Sequence, residues 1–145
     1  MTKQLRNKIK ERSNGICELC NKQKATQIHH VKLKSQGGLD ILINLIHVCN
    51  LCHNHDDIQF LRDCKDILKQ RAEKLFLQGI SYHIGKVAEL LETTIEVVTH
   101  EIYKGWLKSE KVEIENPDTK QVEFVVDYCK SEDILFWLGV KWCLS

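Results

Sequence analysis

The sequence predicts an α+β protein made of two small units, residues 1–79 and residues 80–145. Three observations predict this class. Two Cys-x-x-Cys pairs lie in the first third of the chain, a pattern typical of small folds built round a structural metal ion. Two short strand-like segments and one long amphipathic segment lie in the same unit. Beyond Gly79 the pattern changes to short helices and a hairpin.

The first elements follow from hydrophobic spacing and turn residues. A basic helix is expected over residues 1–12, where two apolar residues stand four apart, and Gly15 should end it. Residues 27–33 alternate weakly, which indicates a short strand ending in a loop. A Ser-Gln-Gly-Gly segment then predicts a turn. The apolar run over residues 41–48 is expected to lead into a second strand.

A long helix is predicted from Cys52 to Gly79, where the glycine should occupy the position just after the helix. Apolar residues recur every three to four positions and form one stripe for burial. The stripe consists of Ile58, Leu61, Cys64, Ile67, Leu68, Ala72, Leu75 and Phe76.

The second unit is predicted to contain two short helices, a hairpin and a last helix. They are expected at residues 82–92, 95–104, 111–114 paired with 122–126, and 132–138. Thr93 and Thr94 can cap the second of these helices, and Ser131 can cap the last one. An Asn-Pro-Asp-Thr segment supplies the hairpin turn.

Charge is distributed unevenly, although the net charge of the 145 residues is only +1. Residues 1–36 hold nine Lys and Arg against two Asp and Glu, whereas residues 79–145 hold seven against twelve. The first stretch is therefore +7 and the last one −5. One basic end on a nearly neutral chain indicates a polyanionic partner that is met by that end alone.

The composition favours a cytoplasmic protein over a secreted or membrane protein. The basic first residues are not followed by an apolar signal core, and no apolar run approaches the ~18 residues of a membrane span. Seven cysteines in such a chain indicate metal ligands and spare thiols. Cys64, Cys129 and Cys143 are the spare thiols and are expected to be small buried hydrophobes.

Four cysteines are predicted to hold one structural zinc ion, since 28 residues separate Cys17/Cys20 from Cys49/Cys52. Four thiolates saturate a tetrahedral zinc ion, so this ion should be catalytically inert. It would act as a scaffold for a unit of about 60 residues that buries little apolar surface.

A second cluster of polar residues is predicted to carry chemistry. His29 and His30 are adjacent, so on a strand they face opposite sides, and one can ligate a metal while the other projects toward a substrate. Asn44 can orient neighbouring groups through its amide. His53 and Asp57 are four apart at the start of the long helix. His29 and His53, with Asp57 as a further candidate, would leave coordination positions open for a phosphate, and His30 could accept a proton from water.

Residues 17–57 resemble an HNH endonuclease of the ββα-metal type with a zinc knuckle. The matching motifs are CELC, IHHV, SQGG, INL and CNLCHNHDD, and 13 residues separate His30 from Asn44 while eight separate Asn44 from His53. The resemblance implies that His30 is the general base, that Asn44 is the middle residue of the motif, and that His29 and His53 bind a catalytic divalent metal.

The identity of that metal and its third ligand stay open. Most zinc-knuckle members carry Asp where this chain has His29, and a second imidazole would favour Zn²⁺ or Ni²⁺ over Mg²⁺, with Mn²⁺ also a candidate. His55, Asp56 and Asp57 all follow His53 closely. The spacing of four on one helix favours Asp57.

DNA is the expected substrate, and RNA is not excluded. The basic residues expected to contact phosphates are Arg6, Lys8, Lys10, Arg12, Lys32 and Lys34. Their contribution should be largely independent of sequence and should fall steeply with salt. The predicted function is metal-dependent hydrolysis of DNA phosphodiester bonds. The alternative is a zinc-stabilised DNA-binding or regulatory protein without catalysis.

The second unit resembles a small winged helix-turn-helix domain of the excisionase or MerR-like type. The motif is HIGKVAELLETTIEVVTHEIYKGWLKSEKV, and the resemblance implies that its second helix reads a DNA groove. That helix carries Glu96 and Glu101 and no Arg, whereas DNA-reading helices usually have a positive face. A role as a homodimer or protein contact is therefore the competing expectation.

Overall fold

The computed structural model describes residues 1–54 and 56–140, so His55 and Cys143 lie outside the described residues. Within them it contains five α-helices and two small antiparallel sheets. The helices are α1 Lys3–Ser13, α2 Ile58–Leu75, α3 Ile84–Leu90, α4 Ile95–Tyr103 and α5 Ser131–Trp137. The strands are β1 Gln27–His30, β2 Leu45–Val48, β3 Ser81–His83, β4 Glu110–Glu115 and β5 Val122–Lys130. None of the described helices combines the length and apolarity needed to cross a bilayer.

The first sheet pairs β1 with β2, as the strand predictions required. His30 lies opposite Leu45 in this register. The connection between the strands contains two short 3-10 turns, Lys34–Gln36 and Leu42–Asn44. Because the second turn ends just before β2, the pairing brings His30 and Asn44 to the same end of the sheet.

Helix α2 is shorter than predicted at both ends. It begins after Asp57, whose side chain accepts a hydrogen bond from the backbone N–H of Gln59 at 2.9 Å. The turn before it is closed by a bond from the Asp57 N–H to the Asn54 carbonyl. The helix ends at Leu75, and Gly79 (φ +77°) lies in the following loop. The helix therefore starts six residues after its predicted start at Cys52.

The helix expected from residue 82 is partly wrong, because the segment begins as strand β3. Tyr82 pairs with Cys129 of β5, and β5 is the central strand of the second sheet, in the order β3-β5-β4. Helix α3 then starts at Ile84, with the His83 ring accepting a hydrogen bond from the Gly85 N–H at 2.9 Å. Residues 81–83 are extended because they pair with β5, a strand that is distant in sequence.

The cap predicted for the last helix is also wrong. Strand β5 continues past the predicted end at residue 126 and runs directly into α5, whose cap position is Lys130. Ser131 is the first residue of the helix, and its N–H donates to the Ile80 carbonyl. Its hydroxyl is buried and has no hydrogen-bond partner among the described residues.

The core consists of two clusters that share α2. The smaller cluster lies round the cysteine pairs and contains Cys17, Ile46, Val48, Cys49, Phe60 and Cys64. The larger one combines Ile41, Ala72 and Phe76 with residues that follow residue 80, among them Val87, Val98, Leu107, Ile134 and Trp137. The two predicted units thus pack against each other through one continuous apolar cluster.

Candidate metal centre and histidine site

The four predicted cysteine ligands lie together, with all Sγ atoms within 4.8 Å of one another. The Sγ atoms of Cys20 and Cys49 are 4.0 Å apart. Zinc–sulfur bonds of about 2.3 Å in a tetrahedron place sulfur atoms about 3.8 Å apart, so the spacing suits a structural metal ion such as zinc. Among the described residues this is the one group of three or more metal-ligating side chains.

The first cysteine pair sits in a tight turn made by the backbone. The N–H of Asn21 donates to the carbonyl of Cys17, and Asn21 adopts a left-handed conformation with φ +57°. Backbone N–H groups of Gln23 and Lys22 point at the sulfur of Cys20 and lower the pKa of that thiol to about 6. Burial and the neighbouring thiols raise the pKa of Cys52 to about 12, so the four thiols do not ionise alike without a cation between them.

The structure brings His29 and His53 together. Their ring centroids are 5.3 Å apart in an edge-to-face arrangement, and both rings contact Phe60 in the first turn of α2. His29 is 3% exposed. The backbone N–H of His53 donates to the carbonyl of Cys49, so the backbone of His53 is fixed next to the second cysteine pair. The two predicted metal ligands from β1 and from the segment before α2 are therefore neighbours.

Asp57 has a structural contact of its own, because its carboxylate caps α2 as described above. It does not form a group of three ligand atoms with His29 and His53 among the described residues. His55, a second candidate, lies outside those residues. A catalytic metal at His29 and His53, and its third ligand, stay predictions.

His30 faces the opposite side of β1 from His29 and is held by a carboxylate. Its Nε2 lies 2.6 Å from Oδ1 of Asp40. The other oxygen of Asp40 is 3.5 Å from the Lys34 ammonium and 3.5 Å from the Met1 amino group. Burial works to raise the pKa of Asp40, but the hydrogen bond with His30 and the surrounding positive charges outweigh it and hold that pKa below its usual value.

Asn44 is buried and ties the two ends of the loop between β1 and β2 together. Its Oδ1 accepts from the N–H of Lys32 at 2.8 Å, and its Nδ2 donates to the carbonyls of Lys32 and Leu39 at 3.1 and 3.0 Å. Its own carbonyl accepts from the N–H of Val31. Asn44 therefore fixes the backbone next to His30, and its amide is fully used in doing so.

Two of the six residues predicted to contact phosphates form hydrogen bonds within the protein. Arg12 forms two hydrogen bonds with the carboxylate of Glu18, at 2.9 and 2.8 Å, and also donates to the carbonyl of Leu42. The ammonium of Lys32 donates to the carbonyl of Trp137 at the end of α5. These contacts hold β1 and α1 against the rest of the fold.

The remaining predicted phosphate contacts lie at the surface. Lys8 makes a 3.2 Å ion pair with Glu92, and Lys34 is 61% exposed beside Asp40. Arg6 and Lys10 are exposed on α1 and have no ion pair within the described part of the chain. The surface of α1 is the part of the predicted basic region that is open to a polyanion.

Sequence reasoning did not single out three residues that shape the site: Asp40, Glu18 and Trp106. The indole of Trp106 lies against Gly37 so closely that an added Cβ would overlap it. No local pattern marks these residues, because each acts on a partner distant in sequence. The sequence feature that came nearest to marking one of them is the position of Glu18 between Cys17 and Cys20.

Comparison of the chain with models of protein families, with curated proteins and with solved structures finds no match. The functional inference therefore depends on the motifs and on the geometry of the site.

Proposed function

We propose that this protein is a metal-dependent endonuclease of the HNH, ββα-metal type that hydrolyses DNA phosphodiester bonds. The observation that supports it best is the contact between His29 and His53 next to a separate cluster of four cysteines. Two neighbouring imidazoles outside a saturated sulfur site can hold a second cation with open positions. His30, next along β1, is an imidazole already oriented by a carboxylate.

Each of the site residues has its own role in the proposed reaction. His29 and His53 would hold a divalent cation, and such an ion would supply neutralisation of charge on the phosphate and on the leaving oxygen. His30 takes a proton from water, the water oxygen forms a bond to phosphorus, and the ester P–O bond breaks with its electron pair going to the leaving oxygen. That oxygen then takes a proton from solvent. Asn44 keeps the backbone beside His30 in place.

DNA binding is assigned to the exposed cations of α1 together with Lys34. These groups neutralise backbone phosphates without reading bases. The segment from β3 to α5 is proposed to be a winged-helix-like module. Its α4 surface carries Glu96 and no Arg, which favours contact with a protein or a second copy of the chain over reading of a groove.

The test is cleavage of supercoiled plasmid in Mg²⁺, Mn²⁺, Ni²⁺ or Zn²⁺, with the parent protein and the His30→Ala variant. The parent should give nicked or linear DNA in at least one metal, and none in excess chelator. His30→Ala should retain one zinc per chain and the parent's melting temperature, yet cut at least about 10²-fold more slowly. His83→Ser is the matched control, since it removes an imidazole from the other sheet and keeps a helix-capping side chain.

Two outcomes would contradict the proposal. A His30→Ala protein that cuts as fast as the parent would remove the assigned base. A parent that binds plasmid but leaves it intact in all four metals would favour the alternative, a zinc-stabilised DNA-binding protein without catalysis.

A further inference from the structure

Asp40 is the carboxylate nearest to the proposed base, although the two residues are ten positions apart and on different elements. Its Oδ1 lies 2.6 Å from the Nε2 of His30, within the range of a strong charge-assisted hydrogen bond. The side chains are only 29% and 18% exposed. Asp40 stands in the loop between β1 and β2, four residues before Asn44, whose buried amide closes that loop.

The chemistry of the pair determines which nitrogen of His30 carries the proton. Asp40 is surrounded by positive groups, with Lys34 and the Met1 amino group both 3.5 Å from Oδ2. An ionised carboxylate can only accept hydrogen bonds. The bond to His30 therefore requires a hydrogen on Nε2, and the lone pair of the neutral ring is then on Nδ1.

We propose that Asp40 is a positioning residue that holds His30 in the Nε2–H tautomer, so that Nδ1 is the nitrogen that accepts the proton from water. This inference rests on the proposed nuclease function. It goes beyond that function by naming Nδ1 as the nitrogen of His30 that accepts the proton and Asp40 as the residue that fixes the tautomer. It also explains why the loop is closed so tightly by Asn44, since a shift of Asp40 would release the ring.

The test combines a spectroscopic reading of the ring with cleavage kinetics. Long-range ¹H–¹⁵N spectra of the full chain at neutral pH report which nitrogen of each neutral histidine carries hydrogen, and the His30→Ala spectrum identifies the His30 signals. The parent should show His30 with hydrogen on Nε2. Asp40→Asn, nearly equal in shape, should shift His30 toward the Nδ1–H form, because the amide NH₂ can donate to Nε2.

The rate of DNA cleavage should fall in variants in which His30 leaves the Nε2–H tautomer. Asp40→Asn is expected to lower kcat by at least about 10-fold with KM within about twofold, since a general base contributes about 10²–10⁴-fold. Asp40→Glu, which restores a carboxylate, should recover part of the loss. The control Asp66→Asn makes the same change of carboxylate to amide at an exposed position on α2. It should change neither the histidine spectrum nor the cleavage rate. Zinc content and melting temperature are measured on every variant.

The outcomes separate this inference from the nuclease proposal. A parent that cuts DNA with His30 in the Nδ1–H form would overturn the inference and leave the nuclease standing. The same conclusion would follow from an Asp40→Asn protein that is folded, that has His30 in the Nδ1–H form and that cuts DNA as fast as the parent. A parent without any cleavage would overturn the nuclease and the catalytic part of this inference, while the spectrum still decides whether Asp40 selects the tautomer.

Discussion

At the scale of single residues, Glu18 organises the buried charges of the cysteine-rich part. Its carboxylate accepts hydrogen bonds from Arg12, from Arg71 at 2.9 Å and from the backbone N–H of His47 at 2.8 Å. The side chains of Glu18 and Arg71 are 11% and 21% exposed. Glu18 thereby connects the first cysteine pair with α1, β2 and α2.

Removing the charge of Glu18 should destabilise the protein. In Glu18→Gln, two guanidinium groups lose their shared carboxylate while they remain largely buried, which costs roughly 2–4 kcal/mol of unfolding free energy. Chemical denaturation of zinc-loaded protein measures this. Glu11→Gln, on the exposed surface of α1, should stay within about 0.5 kcal/mol of the parent. Equal midpoints for the two variants would show that the network contributes little.

The sequence predicted single residues well where the chemistry is local. The two cysteines of each pair, with two residues between them, are held near each other by the chain itself, so their clustering could be expected before any fold was known. The pairing of Asp40 with His30, and of Glu18 with Arg71, depends on packing between separate elements. Twenty acidic and twenty-one basic side chains offer far too many combinations for a pattern to choose these.

At the scale of elements, the glycine turn between β1 and β2 is held by the segment after α4. Gly37 has φ +87°, and the indole of Trp106 covers it, flanked by the ammonium groups of Lys32 and Lys104 at 6.0 and 5.4 Å from the ring centroid. The loop that carries Asp40 and Asn44 therefore depends on a contact from the second half of the chain.

Gly37→Ala should be more destabilising than Gly15→Ala. Both positions have positive φ, but Gly15 (φ +74°) has open space where a Cβ would be. The control is expected to cost about 1 kcal/mol of unfolding free energy from backbone strain. Gly37→Ala should cost about 1–3 kcal/mol more, because Trp106 must move. Equal losses in thermal or chemical unfolding would contradict the packing described here.

Helix α1 is expected to contribute to DNA affinity through its exposed face. Arg6→Gln should weaken binding to a duplex equally for unrelated sequences and reduce the slope of log K against log salt by about 1. Lys74→Gln, in the last turn of α2, is the matched control and should leave the slope unchanged. Binding measured over a series of salt concentrations decides this, and an unchanged slope for Arg6→Gln would exclude α1 from the interface.

Elements with strong internal periodicity were predictable, and those defined by partners were not. The apolar spacing predicted α2, although the Asp57 cap shifted its start. Ile58 and Leu61 of the predicted stripe are exposed, and Phe60 is buried in the first turn in their place. Tyr82 and His83 of strand β3 were predicted as helix, because this short segment has no strand pattern of its own and is extended only through pairing with β5. The Ser131 cap failed for the same reason, since β5 reaches α5 without a turn.

At the scale of the whole molecule, α2 joins the cysteine-rich cluster to the larger core. Its Phe60 and Cys64 pack in the first cluster, and its Ala72 packs in the second together with Phe76, the residue just after the helix. Cys64 is buried near the cysteine pairs but is not one of the four clustered thiols, and burial raises its pKa to about 12, as expected for a packed thiol. A structural ion at the cysteines would stabilise one end of α2, and the larger core would stabilise the other.

The central claim is that the sulfur-bound ion and the catalytic cation occupy separate sites. Zinc content and plasmid cleavage measured on the same preparations of His53→Ala and Cys49→Ser test it most directly. His53→Ala should retain one zinc per chain and a folded core but lose cleavage, whereas Cys49→Ser should lose the zinc, the fold round it and cleavage together. A His53→Ala protein that loses its zinc, or that keeps both its zinc and the parent's cleavage rate, would contradict the claim.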